Sequence, residues 1–123
     1  MSKKIMIVDD EKAFHDLYSI FLKGKDFDIT NAYDGDEAMT KLEQFKPDLI
    51  ILDMLMDMVT GDTFFLYLKG LPEYADIPII IISAYPKKRH KNLKKIDPNL
   101  IYIEKTHITK ELLLNKVDKI LGA

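Results

Sequence analysis

Short apolar runs alternate with longer amphipathic segments along this chain. The run IMIV at 5–8 predicts a strand, and FDITNA at 27–32 predicts a second one. After each strand, apolar residues recur at the i, i+3, i+4 spacing that marks one face of a helix. The first of these faces carries Phe14, Leu17, Tyr18, Phe21 and Leu22, and the second carries Ala38, Leu42 and Phe45 before Pro47 ends the segment.

The second half of the chain repeats the same alternation. Strands are predicted at LIIL (49–52), at the β-branched run IIIIS (79–83) and at LIYIE (100–104). The segments TGDTFFLYLKGL (60–71) and PKKRHKNLKK (86–95) are assigned to the third and fourth helices. A final amphipathic helix is predicted from about Ile108 to Leu121, with Leu112, Leu113, Val117, Ile120 and Leu121 on its apolar face.

Five strand and helix pairs in alternation indicate an α/β fold. Strands that are apolar throughout are buried on both sides, as in a parallel sheet with helices on both faces. Right-handed crossovers leave few topologies, and a doubly wound, flavodoxin-like sheet of five strands in the order 2-1-3-4-5 is the leading candidate. An open six-stranded dinucleotide-binding sheet is excluded by the length and by the absence of a GxGxxG motif.

The composition excludes several classes of function and leaves the predicted fold unchanged. The 123 residues predict one domain, 1–123, and 18 basic and 20 acidic residues leave a net charge of −2, which gives no general argument for nucleic acid or an anionic membrane. The absence of cysteine excludes disulfide and thiolate chemistry. No apolar run is long enough for a membrane span or a signal peptide, so we expect a cytoplasmic domain.

Charged and hydroxyl side chains follow four of the predicted strands where each strand ends. Doubly wound sheets bind ligands at that edge, at the switch point, which this order places between strands 1 and 3. Carboxylates from both strands would repel one another there unless a divalent cation such as Mg²⁺ neutralised them. An ammonium and a hydroxyl beside them could hold the oxygens of a phosphoryl group. The residues are Asp9, Asp10 and Glu11 after strand 1, Asp53 after strand 3, Ser83 after strand 4 and Lys105 after strand 5.

Each of these residues taken singly has a simpler interpretation. An acidic pair after a strand also suits a solvated turn or the first turn of a helix, where the macrodipole favours negative charge. A lone aspartate or serine is often a turn or cap residue, and a lone lysine is usually solvated. Their joint occurrence at one edge of the sheet, in this order, favours a functional site.

In this arrangement the chain resembles the receiver domains of two-component response regulators, including the small chemotaxis regulators that have no output domain. The resemblance extends from about Lys4 to Leu121. It is carried by IMIVDDE, by LIILDMLM with Gly61 eight residues after the aspartate, by IIIISA and by IYIEK. It implies a signalling protein that catalyses only its own aspartate phosphorylation and dephosphorylation, not an enzyme with a separate substrate.

The resemblance also implies roles for the residues at the strand ends. Asp53 is expected to accept a phosphoryl group from a sensor histidine kinase or a phosphotransfer protein. Mg²⁺ is the implied cofactor, with Asp10 and Asp53 as direct ligands, Asp9 acting largely through bound water and the Leu55 carbonyl as a further ligand. Lys105 is expected to bind the phosphoryl group.

A conformational switch is the third implication of the resemblance. Ser83 is expected to move towards the phosphoryl group, and Tyr102 to turn inward into the room left by the small Ala84. The surface formed by the fourth helix, the fifth strand and the fifth helix would then change and be read by a protein target. The chain is expected to be a monomer or a phosphorylation-dependent dimer.

Hydrolysis of the phosphorylated state is expected to be slow. Water would have to approach between the side chains two positions beyond Asp53 and Ser83, which are Leu55 and Tyr85. Both are bulky, and neither is an acid or an amide.

Three positions depart from the family pattern. A proline in cis usually follows the phosphate-binding lysine, but Thr106 follows Lys105 here, and we expect a trans bond because a non-proline cis bond costs about 2.5–4 kcal/mol. Asp57 replaces a common proline, either as a solvated turn residue or as an acid that tightens metal binding. His107 stands where an apolar aromatic is common, and a packed or capping histidine is expected.

The predicted fourth helix is strongly basic, since six of the nine residues from Lys87 to Lys95 are lysine or arginine. A solvated face is the simpler interpretation, and docking of an acidic protein partner is the alternative. Nucleic acid is disfavoured as a partner, because no aromatic residues interleave with the basic ones. The methionines Met54, Met56 and Met58 are assigned to loop and core packing.

Two other functions stay open. A phosphohydrolase of the haloacid-dehalogenase type also uses an aspartate after a hydrophobic strand, but it needs a second acid two residues later, where Leu55 stands. The other possibility is a receiver-like interaction module that works without phosphorylation. Thr106 and Asp57 support it, and the complete set of site residues argues against it.

Overall fold

The computed structural model describes residues 2–56, 60–85 and 91–122. Its sheet contains five parallel strands in the order β2-β1-β3-β4-β5, which confirms the predicted topology. The strands are β1 (Lys3–Val8), β2 (Phe27–Ala32), β3 (Leu49–Leu52), β4 (Ile79–Ser83) and β5 (Ile101–Glu104). The helices are α1 (Lys12–Leu22), α2 (Gly35–Leu42), α3 (Gly61–Lys69), α4 (Leu93–Ile96) and α5 (Lys110–Leu121).

Helices cover both faces of this sheet, as the uninterrupted apolar strands predicted. Successive strand residues point to opposite faces, so each strand contributes to two separate core clusters. On one face, strand residues such as Ile5, Ile7, Ile51 and Ile82 pack with Tyr18 and Leu22 of α1 and with Leu113 and Val117 of α5. On the other face, Met6, Val8, Ile50 and Leu52 pack with Leu42 of α2, Phe64 and Leu68 of α3 and Leu93 of α4.

The structure departs from the predicted boundaries of two helices. The last helix begins at Lys110 instead of about Ile108, because the Thr109 hydroxyl accepts a hydrogen bond from the Leu112 N–H at 3.1 Å. The second helix ends at Leu42, before the predicted Phe45. Of the predicted fourth helix, residues 86–90 lie outside the described part of the chain.

No helix within the described residues is long and apolar enough to cross a membrane.

Gly61 allows the chain after β3 to fold back closely on the end of that strand. Its N–H donates to the Met54 carbonyl at 3.3 Å. A Cβ atom at this position would overlap the Cα of Met54 and would lie 2.5 Å from the Asp53 carbonyl oxygen. The start of α3 is therefore pressed against the backbone of the candidate site, and only glycine fits there.

We predict that Gly61→Ala destabilises the protein by roughly 3 kcal/mol, because backbone atoms must move to admit the methyl group. Gly24→Ala is the matched control. Gly24 has a φ of 90° but nothing within 4 Å of its Cβ position, so that change costs only the left-handed backbone strain of about 1–2 kcal/mol. Urea unfolding measures both variants, and equal losses of stability would contradict the steric explanation.

Candidate functional site

The register of the parallel strands brings two aspartates side by side at the carboxyl edge of the sheet. Val8 lies opposite Leu52, so Asp9 and Asp53 follow as the next pair. The Asp53 N–H donates to the Val8 carbonyl at 2.9 Å, which continues the ladder past the end of β3. Side-chain alternation then directs both carboxylates to the face covered by α1 and α5.

Asp9, Asp10 and Asp53 form a cluster that we call the acid cluster. One carboxylate oxygen from each lies within 4.8 Å of the other two. Asp9 is 1% exposed and Asp53 is 2% exposed, while Asp10 is more open to solvent. The structure thus brings together the three acids that the sequence singled out as metal ligands.

Lys105 reaches the acid cluster from the end of β5. Its Nζ lies 3.1 Å from Asp9 Oδ2, 3.3 Å from Asp53 Oδ2 and 3.6 Å from Glu11 Oε1. The ammonium also lies 4.0 Å from the centroid of the Phe14 ring, whose electron-rich face attracts a cation. Two buried carboxylates therefore share one ammonium.

The Lys105–Thr106 peptide bond is trans, as expected. Residues Lys105–His107 form a 3₁₀ turn that leads into the last helix. Lys105 still reaches both aspartates from this turn, so threonine in place of the family's proline does not misdirect the lysine.

Burial and neighbouring charges shift the pKa values of Asp9, Asp53 and Lys105. Burial raises the pKa of Asp53 to about 6, and the neighbouring Asp9 carboxylate adds to the rise, while Lys105 and the Leu55 N–H oppose it. Burial likewise raises the pKa of Asp9, against the effect of the Glu11 N–H and Lys105. Burial alone would lower the pKa of Lys105, but Asp53 and Asp9 outweigh it and leave that pKa raised. One ammonium thus offsets only part of the negative charge.

The donor set of the acid cluster fits a hard divalent cation. All three groups are carboxylates, and Mg²⁺ prefers oxygen ligands of this kind. Asp9 Oδ2 is buried, and its contact within the described residues is the Lys105 ammonium at 3.1 Å. A buried carboxylate oxygen in that position has capacity left for a cation.

Ser83 ends β4 at the carboxyl edge of the sheet, and the Tyr102 ring packs in the core on the face opposite α1 and α5. Ser83 is fully buried, and its Oγ accepts a hydrogen bond from the Tyr85 N–H at 3.2 Å. The Tyr102 ring is turned inward, only 8% exposed, and its hydroxyl donates to the Tyr85 carbonyl at 2.6 Å. Burial raises the pKa of Tyr102, and a hydrogen bond with Ser83 opposes the rise. The loop that starts at Ser83 is therefore bonded to both side chains, with Ala84 exposed within it.

Leu55 lies at the mouth of the site. Its N–H donates to Asp53 Oδ1 at 3.2 Å, and its side chain is 50% exposed. The expected contribution of its carbonyl to a metal site stays a prediction.

Some sequence expectations concern residues beyond the site. Asp57, with Met58, lies outside the described residues. The prediction of a packed or capping His107 is wrong, because its side chain is 70% exposed with Nδ1 3.5 Å from Glu104, and Thr109 caps the last helix. Of the basic segment, the described lysines are exposed, as the solvated-face interpretation predicts: Lys91, Lys94 and Lys95.

Sequence reasoning missed His15, which is 2% exposed and borders the acid cluster. Its Nε2 lies 2.6 Å from the Asp9 carbonyl oxygen, and its Nδ1 lies 2.6 Å from Asn31 Oδ1. A signal for its burial was present, because His15 shares the i, i+3, i+7 spacing of Tyr18 and Leu22, the buried stripe of α1.

Comparisons with known proteins agree with this arrangement. Residues 5–117 match the response regulator receiver domain family. The response regulator GtcR of Aneurinibacillus migulanus is 37% identical over 93 residues, which are 76% of this chain and 37% of that protein. The chain spans about a third of the length of the curated relatives it matches, or less.

Solved structures show the same fold. The chemotaxis protein CheY4 of Vibrio cholerae superposes with a TM-score of 0.87 at 24% identity, over 98% of this chain and 99% of that one. The Mn²⁺-bound form of the response regulator Rcp1 gives a TM-score of 0.80 at 24% identity, over 95% and 92% of the two chains.

We predict that Asp53→Asn stabilises the protein near neutral pH in a chelating buffer. The folded chain holds the Asp53 proton more tightly than the unfolded chain, whose pKa is near 3.8, so the native free energy of unfolding falls as the pH rises from about 4 to about 6. Asparagine has no charge to bury, and the gain should reach roughly 3 kcal/mol above pH 7 and vanish below about pH 4.

Urea unfolding across this pH range measures the effect. Asp28→Asn, at an exposed position of β2, is the matched control and should show no such pH dependence. If Asp53→Asn is no more stable than the native chain at neutral pH, burial of the ionised Asp53 carboxylate does not lower the free energy of unfolding as inferred.

Proposed function

The chain belongs to the response regulator receiver domain family, and on that ground we propose that it is a phosphoryl-accepting switch of a two-component system. Asp53 is the acceptor, and the donor is the phosphohistidine of a sensor histidine kinase or a phosphotransfer protein. The observation that carries the proposal is the burial of Asp53 beside Asp9, with the Lys105 ammonium 3.3 Å from its carboxylate. Phosphoryl transfer depends mainly on such positioning and charge neutralisation.

In the proposed reaction an oxygen of the Asp53 carboxylate attacks phosphorus, the P–N bond of the phosphohistidine breaks, and the imidazole leaves with a proton taken from solvent. The attacking carboxylate must be ionised, and a pKa of about 6 leaves it largely ionised at neutral pH. The Lys105 ammonium, shared between two aspartates, is near enough to take up a phosphoryl oxygen as it arrives.

We propose Mg²⁺ as the cofactor, held by the carboxylates of Asp9, Asp10 and Asp53 and by the Leu55 carbonyl. When bound, such a cation neutralises negative charge on the phosphoryl oxygens. The convergence of three carboxylates and the spare capacity of Asp9 Oδ2 support this assignment. The Rcp1 structure, which has the same fold, holds a divalent cation, Mn²⁺.

Phosphorylation is proposed to act through the loop that follows β4. Ser83 Oγ and Lys105 Nζ are drawn to the phosphoryl oxygens, and Ser83 Oγ then gives up its hydrogen bond with the Tyr85 N–H. Tyr102 is bonded to the carbonyl of the same residue, so its inward position is tied to that loop, where Ala84 leaves room. The surface formed by α4, β5 and α5 changes in consequence, and a protein target reads it.

The proposal also covers the location, the oligomeric state and the partner of the domain. Residues 1–123 act as a single receiver domain in the cytoplasm, as a monomer or as a dimer formed on phosphorylation. An acidic protein is a better partner for the exposed lysines around α4 than nucleic acid, given a net charge of −2.

The family match disfavours a phosphohydrolase of the haloacid-dehalogenase type, in agreement with Leu55 at the place of that class's second acid. The interaction module that works without phosphorylation is retained as the alternative outcome of the experiment that follows.

Intact mass measured after incubation with Mg²⁺ and acetyl phosphate tests the proposed function. We expect a single added phosphoryl group on the native chain and on the control Asp28→Asn, and none on Asp53→Asn or in the presence of a chelator. A native chain that binds Mg²⁺ and keeps its fold but gains no mass would contradict the proposal and favour the interaction module.

We also predict slow loss of the phosphoryl group. Leu55 is half exposed at the mouth of the site and the half-buried Tyr85 lies in the loop after β4, and we propose that their bulk limits the approach of water to the acyl phosphate. Leu55→Ala and Tyr85→Ala should each shorten the lifetime of the phosphorylated protein, as followed by phosphate release. A native lifetime of only seconds, or one that neither truncation shortens, would contradict this explanation.

A further inference from the structure

We propose that His15 is a positioning residue, which fixes the backbone of Asp9 so that the acid cluster is preformed for Mg²⁺. The inference rests on the proposed function, because it concerns the same metal site. His15 does not touch the carboxylates themselves. It acts on Asp9 through the main chain, from a buried position on α1.

The hydrogen bond to Asp9 has only one possible direction. A carbonyl oxygen only accepts, so Nε2 of His15 carries a hydrogen and donates it to the Asp9 carbonyl at 2.6 Å. On the other side of the ring, Nδ1 lies 2.6 Å from the Asn31 side-chain amide. That amide can accept from Nδ1 through its oxygen or, rotated by half a turn, donate to it through its nitrogen. In either orientation the Asp9 carbonyl stays bonded to Nε2.

The partner of His15 is itself held in place. Asn31 is a residue of β2, and its backbone carbonyl accepts a hydrogen bond from Lys41 Nζ at 2.5 Å. Lys41 lies 3.7 Å from Glu37, whose carboxylate accepts from the Tyr33 N–H at 2.8 Å. A continuous set of contacts therefore runs from α2 through β2 to the imidazole.

The face of the imidazole is also packed. The Tyr33 ring lies on it, with 4.3 Å between the ring centroids. Both ring nitrogens and one face of His15 are thus occupied, and a side chain fixed in this way can fix its neighbour.

Besides the contact of its Oδ2 with Lys105, Asp9 makes three hydrogen bonds, each with a separate partner. Its N–H donates to the Ala32 carbonyl at 3.1 Å, and its Oδ1 accepts from the Glu11 N–H at 2.8 Å. The carbonyl is held by His15. Loss of His15 would leave the other contacts of Asp9 in place, so we expect the strand to stay paired while the Asp9–Asp10 peptide loses its fixed orientation.

This orientation matters because Asp9 and Asp10 are joined by the peptide whose carbonyl His15 holds. Rotation of that peptide would turn the two carboxylates relative to each other and to Asp53. Residues that orient metal ligands in this indirect way typically contribute about 10–100-fold to metal affinity. We expect the lower end of that range, since β1 still positions Asp9.

Calorimetric titration of the full chain with Mg²⁺ tests the proposal, alongside urea unfolding in a chelating buffer. His15→Phe keeps a ring against Tyr33 but removes both nitrogens, and it should weaken Mg²⁺ binding about tenfold. His15→Gln places an amide N–H where Nε2 stands and should restore most of the affinity. Val117→Ala, a core truncation on the same face of the sheet, is the control for lost stability and should bind Mg²⁺ like the native chain.

Asn31→Ala removes the partner of His15 Nδ1 and leaves His15 itself unchanged. It provides a second test in case His15→Phe does not fold. This change frees Nδ1 and should also weaken Mg²⁺ binding. The proposal is overturned if the folded His15 or Asn31 variant binds Mg²⁺ as tightly as the native chain, if Val117→Ala loses as much affinity, or if the native chain binds no Mg²⁺. A native chain that binds Mg²⁺ but takes no phosphoryl group contradicts the proposed function and leaves the role of His15 standing.

Discussion

Two carboxylates buried side by side repel each other unless a cation lies between them, and the site of this protein is arranged around that constraint. The parallel register of β1 and β3 sets Asp9 beside Asp53, and the end of β5 supplies Lys105 to both. One ammonium offsets only part of two buried charges. Burial and the neighbouring Asp9 carboxylate together raise the pKa of Asp53 to about 6, and a divalent cation bound beside it would offset the negative charge.

The charged residues of the site and the ring of Tyr102 lie on different faces of the sheet. Lys105 reaches the acid cluster beside Phe14 of α1, and Ser83 ends β4 at the same edge of the sheet, whereas the Tyr102 ring packs on the face covered by α2, α3 and α4. Tyr102 lies within β5 and Lys105 directly follows that strand, three residues later in sequence. In the proposed function, phosphorylation of Asp53 acts on the loop after β4, to which the Tyr102 hydroxyl is bonded.

Local sequence signals were sufficient for the strands and for the residues that end them. The runs LIIL and IIIIS have the bounds that their periodicity predicted, and the acids and Lys105 meet at the predicted switch point. The contacts of His15 with Asn31 could not be predicted, because they join residues sixteen apart on different elements and leave no periodic signal beyond the burial of one helix face. The start of the last helix was predicted wrongly for a different reason. The Thr109 hydroxyl caps the helix that begins at Lys110, and the spacing of apolar residues carries no information about such a cap.

In the proposed function, a divalent cation relieves the unbalanced negative charge at the carboxyl edge of the sheet. The most direct measurement is the free energy of unfolding near neutral pH as Mg²⁺ is titrated in, with ionic strength held constant by NaCl. The native chain should gain about 2.7 kcal/mol at a hundredfold excess over the dissociation constant, and Asp53→Asn should gain distinctly less at the same Mg²⁺ concentration, since one of its crowded charges is gone. A native stability that Mg²⁺ leaves unchanged, or an equal gain in both proteins, would show that no cation relieves the charge around Asp53.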